Sequence, residues 1–256
     1  MPCSHVDRHL SISRARVRCA MHTTWEFETA QRGRHLWDWS EGVGPDPELL
    51  QPIRRPRSRA KSRHVPANVF STKRGDYLRV ESGLEHDLVR VLDRSMTTAR
   101  IVAQPVHLRF EVGESRRVEH VPDLLCIGTA GEATLWDCRP TEHQDDDFME
   151  RSGLTRVACA EVGWFYEVFP GQPAVQRLNE RWLAGFRRDR PWHARHRSAL
   201  LASAAGGIAV ADLLDLDDGS GELVSTMWHL LWSAELGFDD AAPLRSTTIL
   251  RTSDRD

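Results

Sequence analysis

Two aspartates stand in apolar surroundings within one short stretch, Glu119 to Pro140, EHVPDLLCIGTAGEATLWDCRP. Asp123 follows Pro122, and Asp137 lies two residues before Arg139. A carboxylate in a buried strand is costly unless something pairs with it. Two of them on adjacent strands, with a cation beside one, suggest oxygen ligands for a shared divalent metal. The same residues also fit a reading without chemistry. Asp137 and Arg139, two apart on a strand, face one side and can form an ion pair at a sheet edge, while Asp123 after a proline can be a turn residue.

The elements that carry these residues are legible from pattern. Val121 to Ile127 and Ala133 to Cys138 are apolar runs of strand length, joined by the turn Gly128 to Glu132. Upstream, Ser82 to Arg94 reads as a helix: Ser82 is an N-cap with Glu85 three residues on, and Leu84, Leu88, Val91 and Leu92 make an apolar stripe. Glu85 is thus either a capping carboxylate or an inward-facing ligand. Short strands are expected at Val69 to Ser71, Tyr77 to Val80, Arg100 to Pro105, Val106 to Val112 and Trp164 to Phe169. Asp145, Asp146 and Asp147 mark the start of a helix that runs to about Val162. Helix, strands, helix, strand implies an α/β fold with a mixed central sheet.

The ends of the chain differ from this middle. Residues 1–63 are rich in proline and weakly periodic, and are expected to form an extension. Residues 64–172 form the α/β domain, and residues 173–256 a mostly helical C-terminal domain. In the latter, helices are expected at Val175 to Phe186, His193 to Ala205, Val210 to Leu216 and Gly221 to Leu236, with strand-forming residues from Ser246 to Arg251. That order fits a small winged helix-turn-helix module or an all-helical docking domain.

Composition narrows the class. The chain has 256 residues, with 40% hydrophobic and 28% charged, as in ordinary globular proteins. It has no apolar run of membrane-spanning length and no signal-peptide pattern, so the expected location is the cytoplasm without membrane partners. Five separated cysteines without a CxxC pair support neither a zinc ribbon nor a disulfide framework. Net charge is only -3, but the positive charge is clustered. Arg54, Arg55, Arg57, Arg59, Lys61 and Arg63 form a run continued by Lys73 and Arg74, and a second cluster spans Arg181 to Arg197 with Trp182, Phe186 and Trp192 interleaved. Such runs are expected of a phosphate-backbone binder, or of a solvated arm. Lys61 and Lys73 are the only lysines in the chain.

Together, Ser82-Gly-Leu-Glu85, Gln104-Pro105, Pro122-Asp123 and Asp137-Cys138-Arg139-Pro140 resemble the PD-(D/E)xK nuclease core. More narrowly, they resemble the TnsA-like endonuclease subunits of heteromeric transposases, over about Tyr77 to Phe169. The resemblance implies a restriction-endonuclease-like fold followed by a winged-helix-like module. It also implies an Mg²⁺-dependent DNA endonuclease, with Mn²⁺ as a possible substitute, acting at transposon ends. Its partners would be DNA, a DDE-type transposase and an AAA+ regulator ATPase. Glu85, Asp123, Asp137 and the Cys138 carbonyl would hold the metal, with Gln104 and Arg139 completing the catalytic set. Two positions depart from the family pattern: Asp137 stands where Glu or Gln is usual, and Arg139 replaces lysine. Arginine keeps its proton at working pH, so a general-base role for Arg139 is excluded, while orienting water or stabilising the phosphate is not. The alternatives are a non-catalytic DNA-binding or assembly subunit with a decayed nuclease core, and a stand-alone restriction or repair nuclease.

Overall fold

A four-stranded mixed sheet, buried on both faces, forms the middle layer of the molecule in the computed structural model, which describes residues 21–38, 44–54, 66–113 and 115–253. Its strands are β6 (Thr98–Ala103), β9 (Leu124–Gly128), β10 (Ala133–Cys138) and β11 (Phe165–Phe169), in the order β11-β10-β9-β6. β6 and β9 pair antiparallel, as do β9 and β10, whereas β10 and β11 pair parallel. Burial on both faces explains why the strands read as apolar runs rather than alternating ones.

The alternation of side chains across the sheet defines two cores. Val102, Leu125, Ile127, Ala133 and Leu135 face one side. There they meet α2 (Asp146–Glu161) and a five-stranded antiparallel sheet built from β1 (Met21–Thr29), β2 (Gly33–Trp37), β3 (Leu50–Gln51), β7 (Val106–Val112) and β8 (Arg116–His120). Ile101, Ala103, Leu124, Cys126, Trp136 and Cys138 face the other side, against α1 (Gly83–Arg94) and the hairpin of β4 (Ala67–Ser71) and β5 (Asp76–Val80).

The first sheet corrects the expectation of an N-terminal extension at residues 1–63 for its described strands, Met21–Thr29, Gly33–Trp37 and Leu50–Gln51. β1 pairs with β2 and β7 along most of its length, and Trp25 is fully buried, edge-on to both Trp37 and Trp164. Glu26 obscured this strand in the sequence: it is buried among apolar neighbours because Arg34, His107 and Arg109 pair with it. Burial opposes the charge of Glu26, but the two arginines prevail and hold its carboxyl below the ordinary value. Other differences are smaller. The first hairpin strand begins at Leu124 rather than Val121, so Asp123 sits at the bend before it, and β8 lacks a clear apolar pattern because most of its residues are exposed.

Beyond β11 the chain is mostly helical. α3 (Ala174–Leu183) continues as one 3₁₀ turn to Phe186, and α4 (His193–Ala204), α5 (Val210–Leu214) and α6 (Glu222–Trp232) follow. Between them, β12 (Ile208–Ala209), β13 (Leu236–Gly237) and β14 (Ile249–Thr252) form a small sheet in the order β12-β14-β13. Leu200, Leu213, Met227, Leu230, Leu231 and Leu250 fill its core. The helical region is tied to α1 by Arg177 Nε to Asp87 Oδ2 at 2.5 Å and by the Arg94 guanidinium to the Leu231 carbonyl at 3.3 Å. Arg187 and Arg188 also lie over the Phe70 ring of β4. Among the described residues no helix is long and apolar enough to cross a membrane.

Candidate metal and nuclease site

Glu85 enters the interior because a cap places it there. Ser82 Oγ accepts from the Glu85 N–H at 3.1 Å, and the Glu85 carboxylate accepts from the Glu81 N–H at 2.9 Å. The capping reading and the inward-facing reading therefore both describe one side chain, which is only 4% exposed. Burial raises its carboxyl above the ordinary value against the pull of that backbone donor.

Asp123 feels the Glu85 charge directly. Its Oδ2 accepts from the Cys138 N–H at 2.7 Å, while its backbone bonds Trp136 and Gln104. Burial, then the charge of Glu85, then that of Asp137 push the Asp123 carboxyl well above the usual carboxylate range. The same burial and the Asp123 charge drive the neighbouring Cys138 thiol upward, so it is an inert, protonated neighbour.

Asp137 is held differently. It continues the Ala133 and Leu135 face of β10, opposite to Trp136 and Cys138. Tyr166 of β11 donates to its Oδ2, and His120 Nε2 lies 2.9 Å from the same oxygen and 3.2 Å from Oδ1. His120 Nδ1 in turn meets Thr155 Oγ1 of α2 at 2.7 Å. Burial and the Asp137 charge raise the Tyr166 phenol, which keeps it a hydrogen-bond donor. His120, Tyr166 and Thr155 were not singled out in the sequence. The available signal was a histidine three residues before Asp123; the tyrosine and threonine had none.

Arg139 does not pair with Asp137. Its Nε donates to the His143 carbonyl at 2.7 Å, its Nη2 lies 3.5 Å from Asp145, and its guanidinium lies over the Phe148 ring. The edge-strand ion pair is thereby replaced by a brace on the segment leading into α2. β10 is an interior strand, between β9 and β11.

Gln104 occupies the turn where the chain leaves the four-stranded sheet for the five-stranded one. Its φ of 46° lies in the left-handed region, which is unfavourable for a residue with a side chain. Surrounding bonds impose it: the Gln104 N–H donates to Asp123 O, its carbonyl accepts from Ile53 N–H, and Oε1 accepts from Arg54 Nε at 3.0 Å. Its Nε2 is buried without a partner among the described atoms.

The expected DNA-binding residues fall in different places. Arg54 is committed to Gln104 and Glu81. Arg55, Arg57, Arg59, Lys61 and Arg63 lie outside the described residues. Lys73 and Arg74 occupy the β4–β5 turn, which the buried Asp93 carboxylate fixes by accepting from the backbone of Thr72 and Lys73. In the second basic cluster, Arg195 and Arg197 are paired with Glu222 and Glu235.

Glu85 and Asp123 suit a hard divalent cation. Glu85 is buried and Asp123 half-buried, and the Glu85 charge raises Asp123, the condition that a cation relieves. Asp137, with both oxygens engaged, and Arg139, directed toward Asp145, are not arranged for it in this conformation. No protein-family model matches the sequence, and no curated protein matches it.

Proposed function

We propose that the chain is a metal-dependent DNA endonuclease subunit of a heteromeric transposase, with Glu85 and Asp123 holding Mg²⁺. The observation that carries this reading is the placement of Glu85 on α1 and Asp123 at the mouth of β9, where Asp123 holds the Cys138 N–H and the Glu85 charge disfavours its ionisation. The order of elements supports it: with β7 and β8 crossing to the other sheet between β6 and β9, α1, β6, β9, β10, α2 and β11 give a helix, three antiparallel strands, a helix and a parallel fourth strand, as in a restriction-endonuclease-like core. The sequence of α4, β12, α5, α6, β13 and β14, with β14 central in the sheet, supports a winged-helix-like C-terminal module.

A divalent ion bound there supplies an activated water and neutralises charge on a phosphodiester. The chain's own residues set the conditions. The Ser82 cap and the Glu81 N–H aim Glu85, and the Cys138 N–H fixes the rotamer of Asp123. Gln104, locked by Arg54 and the Asp123 carbonyl, keeps the turn beside Asp123 rigid. Asp137 joins the ligand set only if it leaves His120 or Tyr166.

That last condition favours a second reading, a DNA-binding assembly subunit that does not cut. The two separate in one experiment: incubate the chain with its transposase partner, transposon-end DNA and Mg²⁺ or Mn²⁺. Cleavage abolished by Asp123→Ala, with DNA binding retained, supports the endonuclease. Binding without cleavage under either metal supports the assembly subunit.

A further inference from the structure

The helical region gathers a second set of ligand-type side chains, far from the carboxylates in sequence and different in chemistry. Asp189 lies in the loop between α3 and α4, His193 is the first residue of α4, and His229 is in the last turn of α6. One ligand atom from each comes within 4.8 Å of the others, and no other such trio occurs among the described residues. Asp189 Oδ1 lies 2.9 Å from His193 Nδ1 and 3.9 Å from His229 Nε2. Nitrogen and oxygen ligands about 2.0–2.2 Å from a tetrahedral zinc sit roughly 3.4 Å apart, and the two distances straddle that spacing.

The outer hydrogen bonds orient the imidazoles. His229 Nδ1 lies 2.8 Å from the Phe186 carbonyl, which can only accept, so Nδ1 carries the hydrogen and Nε2 presents its lone pair toward Asp189. A backbone carbonyl in this position is the common outer partner of a metal-bound histidine. At His193, Nδ1 accepts from the Arg190 N–H at 3.2 Å, and the same N–H donates to Asp189 Oδ1 at 2.8 Å. The two rings stack with centroids 4.2 Å apart, a poor arrangement for two imidazolium ions. Two ring nitrogens and a carboxylate oxygen therefore converge on one point.

We infer that Asp189, His193 and His229 form a binding site for a borderline divalent transition metal, with Zn²⁺ as its reference ion. Two imidazoles and one carboxylate suit zinc better than Mg²⁺, and three protein ligands leave a fourth position open. The site borders a cavity of about 450 Å³ lined by Arg187, Arg188, Arg190, Trp192, His193 and Ser225. These arginines oppose a bare cation, and the Asp189 carboxylate offsets part of that charge. Asp189 is 81% exposed at its side chain, which gives the ion an entry path. Metal bound there joins the loop after α3 to α4 and α6. The inference does not depend on the nuclease reading.

The test uses the untagged full-length chain stripped with a chelator and titrated with Co²⁺, whose visible bands report nitrogen ligation and low coordination number. One equivalent of Co²⁺ should give these bands, Zn²⁺ should displace it, and Zn²⁺ should raise the unfolding temperature. His229→Ala and Asp189→Asn should each weaken binding by at least about tenfold. Asp123→Asn should leave the bands unchanged, which separates this site from the carboxylates of α1 and β9. A wild-type chain with neither bands nor a thermal shift overturns the inference. So do bands that survive both His229→Ala and Asp189→Asn, or that vanish with Asp123→Asn.

Discussion

The carboxylates around β9 and β10 and the Asp189–His193–His229 group meet burial with opposite signs. Burial raises Glu85 and Asp123, whereas it lowers His193. Both changes favour the neutral form, and both are relieved when a cation takes the place of protons. The sites differ in the donors they offer. The first has hard oxygens fixed by backbone N–H groups, and the second has two imidazoles, that of His229 fixed by a backbone carbonyl. Shared desolvation with different donor chemistry leads us to expect different metals in one chain.

The comparison breaks most sharply at Asp123. Asp123→Ala should reduce Mg²⁺-supported cleavage by more than about 100-fold, the upper range for loss of an outer-shell partner, measured as initial rate on end-containing DNA. If the acid cluster carries no metal, the loss does not occur. Without metal the sign reverses for stability. A raised carboxyl means that the folded chain keeps a proton the unfolded chain has released. Stability should therefore fall as pH rises from the ordinary carboxylate range through the folded values of Glu85 and Asp123. Asp123→Asn should raise the metal-free unfolding temperature at neutral pH and flatten this dependence, as followed by circular dichroism.

A next contrast concerns the frame rather than the sites. Trp25→Ala empties a fully buried position between Trp37 and Trp164 and should cost about 3–5 kcal/mol in urea unfolding. A cost near zero would mean that the N-terminal sheet is not part of the cooperative fold. Histidine burial then gives a smaller effect. His86 is pushed down to about 4, chiefly by burial and then by Arg90. The unfolded chain takes up this proton first, so stability should decline as pH falls from about 6.5 toward about 4. His86→Gln should remove part of that decline in parallel denaturation curves. The smallest change is expected at Arg139. Because its contacts are with His143, Asp145 and Phe148, Arg139→Lys should alter stability by less than about 1 kcal/mol. It should also preserve or raise cleavage. A large loss of cleavage would show that the planar guanidinium has a bidentate task that the brace conceals.

Much of the frame was readable residue by residue. The Ser82–Glu85 cap, the run at Ala133–Cys138 and the Asp145 start of α2 form where local pattern places them, and the Val121–Ile127 run forms a strand shifted to Leu124–Gly128, because caps and two-sided burial leave short-range signatures. β1 left a weaker one. Its inward Trp25 and Phe27 are interrupted by Glu26, and the arginine and histidine that neutralise Glu26 from β7 lie more than eighty residues away. The site divides in the same way. Glu85, Asp123, Asp137 and Arg139 were visible as types in a spacing, but the spacing was silent on side-chain direction.

The sequence alone determined a mixed α/β chain in which a capped helix and an apolar hairpin carry acidic residues into buried positions. Periodicity and capping are local physics, set by neighbours three or four residues apart. The tertiary structure decided which groups those acids meet. It gave Asp137 to His120 and Tyr166, turned Arg139 toward Asp145, placed Trp25 at the centre of a core, and brought Asp189 and His229 together across forty residues of chain. Those choices depend on sheet order and strand face, which hydrogen bonds between distant segments set and which no short window of sequence contains.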